Sequence, residues 1–273
     1  MSLTFRWLGV AGLELKVAGQ VLLVDPFLTR PTLTRMVWPV NSDQSLIAEK
    51  LPECNFLLVT HSHYDHLMDV PEVLLHTGAV AYGSANTYRL LSILGVPHEQ
   101  LQEVHVGDQL SLGAFKVEVI VGHHSSLPFD WVFNGELKDG LHPPLRVQDY
   151  RMDICLGYLI SVLGQSLLIC AAEPHPADVL FAVAQEPRAY YLNLLKGVDP
   201  LTFIPIHWDN FTRPLNRPLR RFTRPGRLPL WQLARFARQV LPRVNVLIPE
   251  IFQEYTLGHD VLTPTKKSTM RHH

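Results

Sequence analysis

Thr60-His61-Ser62-His63-Tyr64-Asp65-His66-Leu67 puts three histidines and one aspartate within six positions of a 273-residue chain. Imidazole nitrogen and carboxylate oxygen are the usual first-row metal ligands of hydrolytic sites. His61 and His63 stand at i and i+2, so in an extended segment both side chains leave by one face. Asp65 and His66 follow where the chain bends away and can reach a neighbouring position. One short loop can thus offer two ligands to one metal and two to a second.

The run before it, Phe56-Leu57-Leu58-Val59, is short, apolar and closed by a β-branched residue. That pattern suits a strand buried on both faces. Pro52 upstream and the polar residues downstream favour a strand over a helical turn. The histidine loop then lies at the carboxyl end of that strand, where open α/β sheets place their sites.

The run Thr60–His66 resembles the His-x-His-x-Asp-His signature of the metallo-β-lactamase-fold superfamily. The resemblance implies an α/β fold, an αββα four-layer sandwich of the metallo-β-lactamase type, with a one- or two-metal site between the sheets. It also gives roles to further residues. Asp25 ends an early strand at Asp25-Pro26 and matches the family aspartate that stands behind the metal loop and orients it. The strand from Phe115 to Val121 runs into Gly122-His123-His124-Ser125, where the family has its third histidine for the first metal. His124, followed by Ser125, is favoured there. His123 remains the alternative if the register shifts by one, since neighbours on a strand point oppositely. His207, in His207-Trp208-Asp209-Asn210-Phe211, resembles the His-Trp-Gly-Thr-Phe segment of the branch containing L-ascorbate 6-phosphate lactonase and N-acyl-phosphatidylethanolamine-hydrolysing phospholipase D. The first metal would take His61, His63 and His124, and the second Asp65, His66 and His207.

One departure stands out. Many members carry Gly-Asp-Thr after the strand that here ends at Cys170, and that aspartate bridges two metals. This chain has Ala171-Ala172-Glu173 instead. Glu173, one methylene longer, is the only acid at that place, and without it the second metal lacks a shared anion.

Composition bounds the partners. Hydrophobic residues make up 47% and charged residues 18%, enough for a large core and against disorder. A net charge of -1 gives no bulk field toward nucleic acid or anionic membrane. Cys54, Cys155 and Cys170 lie in or beside apolar runs and read as free thiols of a cytoplasmic protein. No apolar stretch approaches bilayer length, and no signal-peptide core is seen at the start.

Along the chain, Leu13–Val17 and Val21–Val24 read as a hairpin and Asp43 as the cap of a helix ending near Leu51. Val104–Val106, Gln109–Leu112 and Phe115–Val121 read as successive antiparallel strands. Leu127–Tyr150 has no period, and its Phe129, Trp131 and Phe133 suggest a flap over the site. Pro176–Ala184 reads as a helix, Ala189–Leu194 as a strand and Val244–Ile248 as the last strand. The Arg213–Arg227 segment, rich in arginine, offers guanidinium forks to a phosphate. Residues 1–262 are expected to form one domain whose two halves meet near residue 150, with 263–273 as a tail.

The expected activity is metal-dependent hydrolysis, with metal-bound hydroxide attacking a phosphodiester, lactone or amide of a small-molecule substrate that bears phosphate. Asp65 is the expected catalytic group, orienting the water and taking its proton. Zn²⁺, one or two ions, is the default because the ligands are mostly imidazole, with Mn²⁺ or Fe as alternatives. The rival expectation is a non-hydrolytic metal-binding or sensing protein on the same fold.

Overall fold

A computed structural model describes residues 1–125, 130–258 and 263–264. The chain opens with three antiparallel strands, β1 (Leu3–Gly9), β2 (Gly12–Val17) and β3 (Gln20–Val24). Three parallel strands follow: β4 (Phe56–Leu58), β5 (Val80–Gly83) and β6 (Leu101–Glu103). Between them lie α1 (Gln44–Lys50), α2 (Tyr64–Leu67), α3 (Val70–Thr77) and α4 (Ala85–Ile93). Asp43 caps α1 through Leu46 N, and Ser84 caps α4 through Thr87 N.

The second sheet takes β7 (Gln109–Leu112), β8 (Phe115–Val121), β9 (Leu156–Val162) and β10 (Gln165–Ile169), all antiparallel. Its parallel part is β11 (Val179–Val183), β12 (Thr202–Ile206) and β13 (Asn245–Val246). Helices α5 (Asp130–Phe133), α6 (Arg188–Val198) and α7 (Leu230–Val240) belong to this part of the chain. Two last strands, β14 (Glu254–Leu257) and β15 (Thr263–Pro264), return to the edge of the first sheet beside β1.

The layers follow from burial. Leu13, Leu15, Leu22 and Val24 of the first sheet share one core with Val117, Tyr158, Ile160 and Phe181 of the second. Phe5 meets Phe181 edge-on across that core, with ring centroids 5.5 Å apart. Leu23, Leu57 and Ala81 turn to the other side of the first sheet and pack with Ile47, Val73 and Leu90 of its helices. Helices α6 and α7 cover the second sheet with Leu194, Leu195, Leu233 and Ala237. This is the αββα sandwich.

Four expected elements differ. Pro176–Ala184 contains strand β11, not a helix. All five of its residues, Val179 to Val183, are buried between two parallel neighbours, so the run has no polar face to show a period. Ala189–Leu194 belongs to helix α6, not a strand. Its buried residues Tyr191, Leu194, Leu195 and Val198 recur at helical spacing, which the β-favouring tyrosines obscure. The strand expected at Val104–Val106 is β6, three residues earlier and parallel to β5 in the first sheet. The chain therefore changes sheets between Glu103 and Gln109, while residue 150 lies in the loop before β9. Asn245–Val246 is followed by two further strands, and Thr263–Pro264, at the start of the expected tail, pairs with β14. Residues 265–273 of that tail, and Phe129 of the expected flap, lie outside the described residues.

The two sheets are pinned at one end by a charged pair. Arg30 and Asp209 have fully buried side chains and meet at 2.6 Å. Asp209 Oδ1 also accepts from Val10 N, and His207 N donates to Val10 O at 2.7 Å. Gly9 lies against the Arg30 guanidinium at φ +93, so a side chain there would collide with it. Removing one partner leaves the other charge buried and alone, which costs about 3–5 kcal/mol. Asp209→Ala is expected to lose stability of that order in urea unfolding, and Gly9→Ala to lose a comparable amount. A loss below about 1 kcal/mol for both would show the pair to be dispensable.

Candidate metal centre

The site begins at the ends of β3 and β4. Asp25 has no exposed surface and a positive φ of 43°, which turns the chain sharply as β3 ends. Its Oδ1 accepts from Thr60 N at 2.8 Å, and its Oδ2 from the Thr60 hydroxyl at 2.5 Å and His66 Nδ1 at 2.7 Å. One carboxylate thus holds both ends of the histidine loop. His63 remains extended (φ -65, ψ 152) as the N-cap of α2, and the chain then coils to carry Asp65 and His66 on that short helix.

Two more segments arrive from the second sheet. His124 follows β8, whose end is locked by Gly122. The Gly122 backbone sits so close to Leu156 that a side chain has no room. His207 follows β12 at φ 56, held by its bond to Val10. The result is two groups. One ligand atom from each of His61, His63 and His124 lies within 4.8 Å of the others, and the same holds for Asp65, His66 and His207. The groups adjoin, since the rings of His61 and His66 are 3.9 Å apart. Both face one cavity of ≈ 250 Å³.

Hydrogen bonds decide which ring nitrogen is free. His66 Nδ1 donates to Asp25, leaving Nε2 with its lone pair. His63 Nε2 donates to the Phe133 carbonyl at 3.1 Å, leaving Nδ1. The Thr60 hydroxyl gives its proton to Asp25, so its oxygen accepts from His61 Nδ1 at 3.0 Å. His61 Nε2 is then a lone pair buried without any protein partner. Orphaned buried acceptors are rare, and rings held through one nitrogen are how metal-binding histidines are oriented. The donor set fits a transition metal at these positions.

The electrostatics agree for the first group, whereas His66 of the second is held toward its charged form by the two aspartates beside it. Burial and the neighbouring histidines push His61 down, and His124 is pushed down to about 3. Both imidazoles are therefore neutral, the form that binds metal. Burial raises Asp65, but His66, His207 and His63 outweigh it and hold the carboxyl below its ordinary range. Burial opposes charge on His66, and Asp25 and Asp65 overcome it and raise that group. Asp65 Oδ2 lies 3.8 Å from His66 Nε2 and 3.5 Å from His207 Nε2.

Two residues considered from sequence fall outside the groups. Glu173 is exposed and lines neither group nor cavity. Ala171 pairs with Gly122 and Ala172 N bonds Val121 O, so the chain hugs β8 there and carries Glu173 past the site. Among the described residues, no acid takes the place of a bridging aspartate. His123 points away from His61 and His63. It stacks on Tyr190 at 4.1 Å and faces Glu186 Oε1 at 3.5 Å.

Glu186 is the residue that sequence reasoning missed. It is 2% exposed, touches His123 and the Ser125 hydroxyl, and has Arg227 Nη1 3.6 Å from its other oxygen. Its carboxylate therefore bonds Ser125 and faces His123, the residues on either side of His124. Burial raises its pKa, but His123, Ser125 and Arg227 win and lower it. Its signal in sequence was only a lone acid after an apolar run. Glu186→Ala is expected to weaken uptake of the first metal equivalent roughly tenfold in a Zn²⁺ titration of the apoprotein. Glu186→Gln, which keeps the shape and can still accept, is expected to recover part of that loss. An unchanged titration for Glu186→Ala would free His124 from this support.

Comparison with known proteins comes to the same place. The sequence model of the beta-lactamase superfamily domain matches residues 21–152. A UPF0173 metal-dependent hydrolase of Methanopyrus kandleri is 30% identical over 230 residues, 80% of this chain and 89% of that one. A relative of the same description from Polynucleobacter asymbioticus is 28% identical over 220 residues, 75% of this chain and 73% of its own. Among solved structures, the metallo hydrolase Igni18 of Ignicoccus hospitalis superposes with a TM-score of 0.64. That match has 16% identity and covers 94% of this chain and 99% of that one. By its sandwich of two sheets, its Thr60–His66 loop and this kinship, the chain belongs to the metallo-β-lactamase superfamily, within its metal-dependent hydrolases.

Proposed function

We propose that His61, His63 and His124 hold one transition-metal ion and Asp65, His66 and His207 a second, and that the chain uses them to hydrolyse a small-molecule substrate. The observation that carries this reading is the convergence of both groups, ligand atoms within 4.8 Å, on one cavity floor. Mostly imidazole donors make Zn²⁺ the default, with Mn²⁺ or Fe as alternatives. When bound, such an ion lowers the pKa of a water from 15.7 toward about 7 and polarises the oxygen under attack.

The chain's own residues do the rest. Asp65, held ionised between His66 and His207, orients the water and accepts its proton. Thr60 and Asp25 keep the rings of His61 and His66 in one tautomer and one direction. The scissile bond is a phosphodiester, a phosphate-bearing lactone or an amide. Support for phosphate is narrow: among the described arginines of the Arg213–Arg227 segment only Arg224 lines the cavity, and Arg227 is engaged with Glu186. With Glu173 turned outward, the second ion lacks a bridging carboxylate to offset repulsion between cations and binds more weakly than the first.

Residues 1–262 act as one domain in this proposal. Its setting is the cytoplasm, which suits the free, buried Cys54, Cys155 and Cys170. No helix among the described residues is long and apolar enough to cross a membrane.

Elemental analysis of the purified protein is expected to find one to two equivalents of transition metal. Less than half an equivalent, with no uptake of Zn²⁺ or Mn²⁺, would remove the proposal. His124→Ala is expected to lose one equivalent and His123→Ala to retain it, because His123 faces Glu186 and Tyr190. Equal losses would assign the third histidine wrongly.

A further inference from the structure

The cavity above the two histidine groups has walls of opposite character. One edge is polar, with His123, Ser125 and Gln185. The remainder is dominated by Met36, Tyr64, Phe133, Tyr150, Phe211 and Phe222. Four of these side chains form a connected wall. Tyr64 OH approaches Met36 Sδ at 3.8 Å, and the Phe211 ring lies 6.3 Å from Tyr64 and 6.2 Å from Phe222. The apolar side chains reach both groups, with Phe133 6.2 Å from His63 and Phe211 5.7 Å from His207.

Met36, Phe133 and Phe211 are only partly buried, and Phe222 is 37% exposed. Large apolar side chains left open around a concave site mark a surface that a ligand covers. The charges point the same way. Among the described residues, and apart from the two ligand groups and His123, the only charged side chain lining the cavity is Arg224, and no lysine lines it. A charged arm seated on the aromatic wall would give up hydration with little to replace it, whatever group lies at the histidine positions. Volume sets the size. A cavity of about 150 Å³ accepts a benzene ring, so ≈ 250 Å³ leaves room for one ring beside the reacting group.

Resting on the hydrolytic reading above, and taking its carboxyl alternatives over the phosphodiester, we infer that the substrate is a carboxylic ester, lactone or amide bearing one uncharged aryl or compact alkyl arm, which docks on the Met36–Phe211–Phe222 wall. In the reaction the water oxygen bonds to the carbonyl carbon and the carbon–oxygen or carbon–nitrogen bond breaks. One water proton goes to Asp65 and on to the leaving oxygen or nitrogen. The other is released from the new acid, which departs as a carboxylate.

The test compares methyl acetate with methyl phenylacetate, and dimethyl phosphate with methyl phenyl phosphate, on the metal-loaded protein. Burying the ring is expected to raise kcat/KM for the neutral pair about 10- to 100-fold, with the phosphate diesters poorer than either. Preference for the phosphate pair, or no gain from the ring, would overturn the substrate class and leave metal-dependent hydrolysis standing. Acetone and phenylacetone, which cannot be hydrolysed, separate the other case by calorimetry. If no ester is cleaved but phenylacetone binds at least tenfold tighter than acetone, the substrate class stands and the hydrolytic reading falls. Equal binding of the two ketones removes the inference. Phe222→Ala and Met36→Ala, both at partly exposed loop positions, are expected to cut the ring's advantage threefold or more with metal content unchanged. If both fold and neither alters that advantage, the wall does not choose the substrate.

Discussion

A single buried carboxylate, that of Asp25, sets the geometry on which the site depends. It accepts two bonds from Thr60 and one from His66, and so ties the end of β3 to both ends of the histidine loop. A carboxyl group without exposure is stable only when its acceptor positions are filled. Here the groups that fill them are the ones that must be aimed. Satisfying Asp25 therefore fixes the His61 and His66 rings before any metal arrives. The low dielectric that makes an unpaired Asp25 costly also strengthens the bonds that orient those rings.

The other half of the constellation comes from a different sheet and needs its own anchors. His207 is placed by its backbone bond to Val10 and by the Arg30–Asp209 pair two residues further on. His124 is placed by Gly122 packed on Leu156 and by Glu186, which bonds Ser125 and faces His123. Asp69 supports the same seam from beneath, accepting from Leu28 N, Thr29 N and the Thr29 hydroxyl just before Arg30. Each ligand-bearing turn is thus fixed by a buried polar group that is not itself in either histidine group. Precision at such a site comes from those supports more than from the donors.

The departure at Ala171–Glu173 shows how local packing overrides a chemical opportunity. Glu173 carries the right group one residue too late, because Ala171 and Ala172 are spent pairing with the end of β8. The two groups therefore share no carboxylate. The cavity is unequal, with a polar edge near Glu186 and an aromatic wall near Phe211. A substrate must match both edges at once, and that restricts its shape and charge.

Much of this was legible in the chain itself. The spacing of His61, His63, Asp65 and His66 after an apolar strand announced a metal loop, because ligands supplied by one turn must be close in sequence. The resemblance extended that loop to Asp25, His124 and His207. The β11 and α6 assignments failed where every residue of a strand is buried, or where tyrosines line a helix, since periodicity needs an exposed face to be seen. The sequence by itself determined the His61–His66 cluster and the absence of an aspartate after Cys170, and the resemblance it carries implied the αββα frame. Only the tertiary structure decided that His124 rather than His123 joins His61 and His63, that Glu173 stays outside, that Glu186 pairs with Arg227 behind His123 and Ser125, and that the Phe211–Phe222 wall borders the cavity. Those outcomes depend on how turns from two sheets pack against each other. Contacts between residues sixty or more positions apart, such as Ser125 with Glu186, leave no local pattern in the chain.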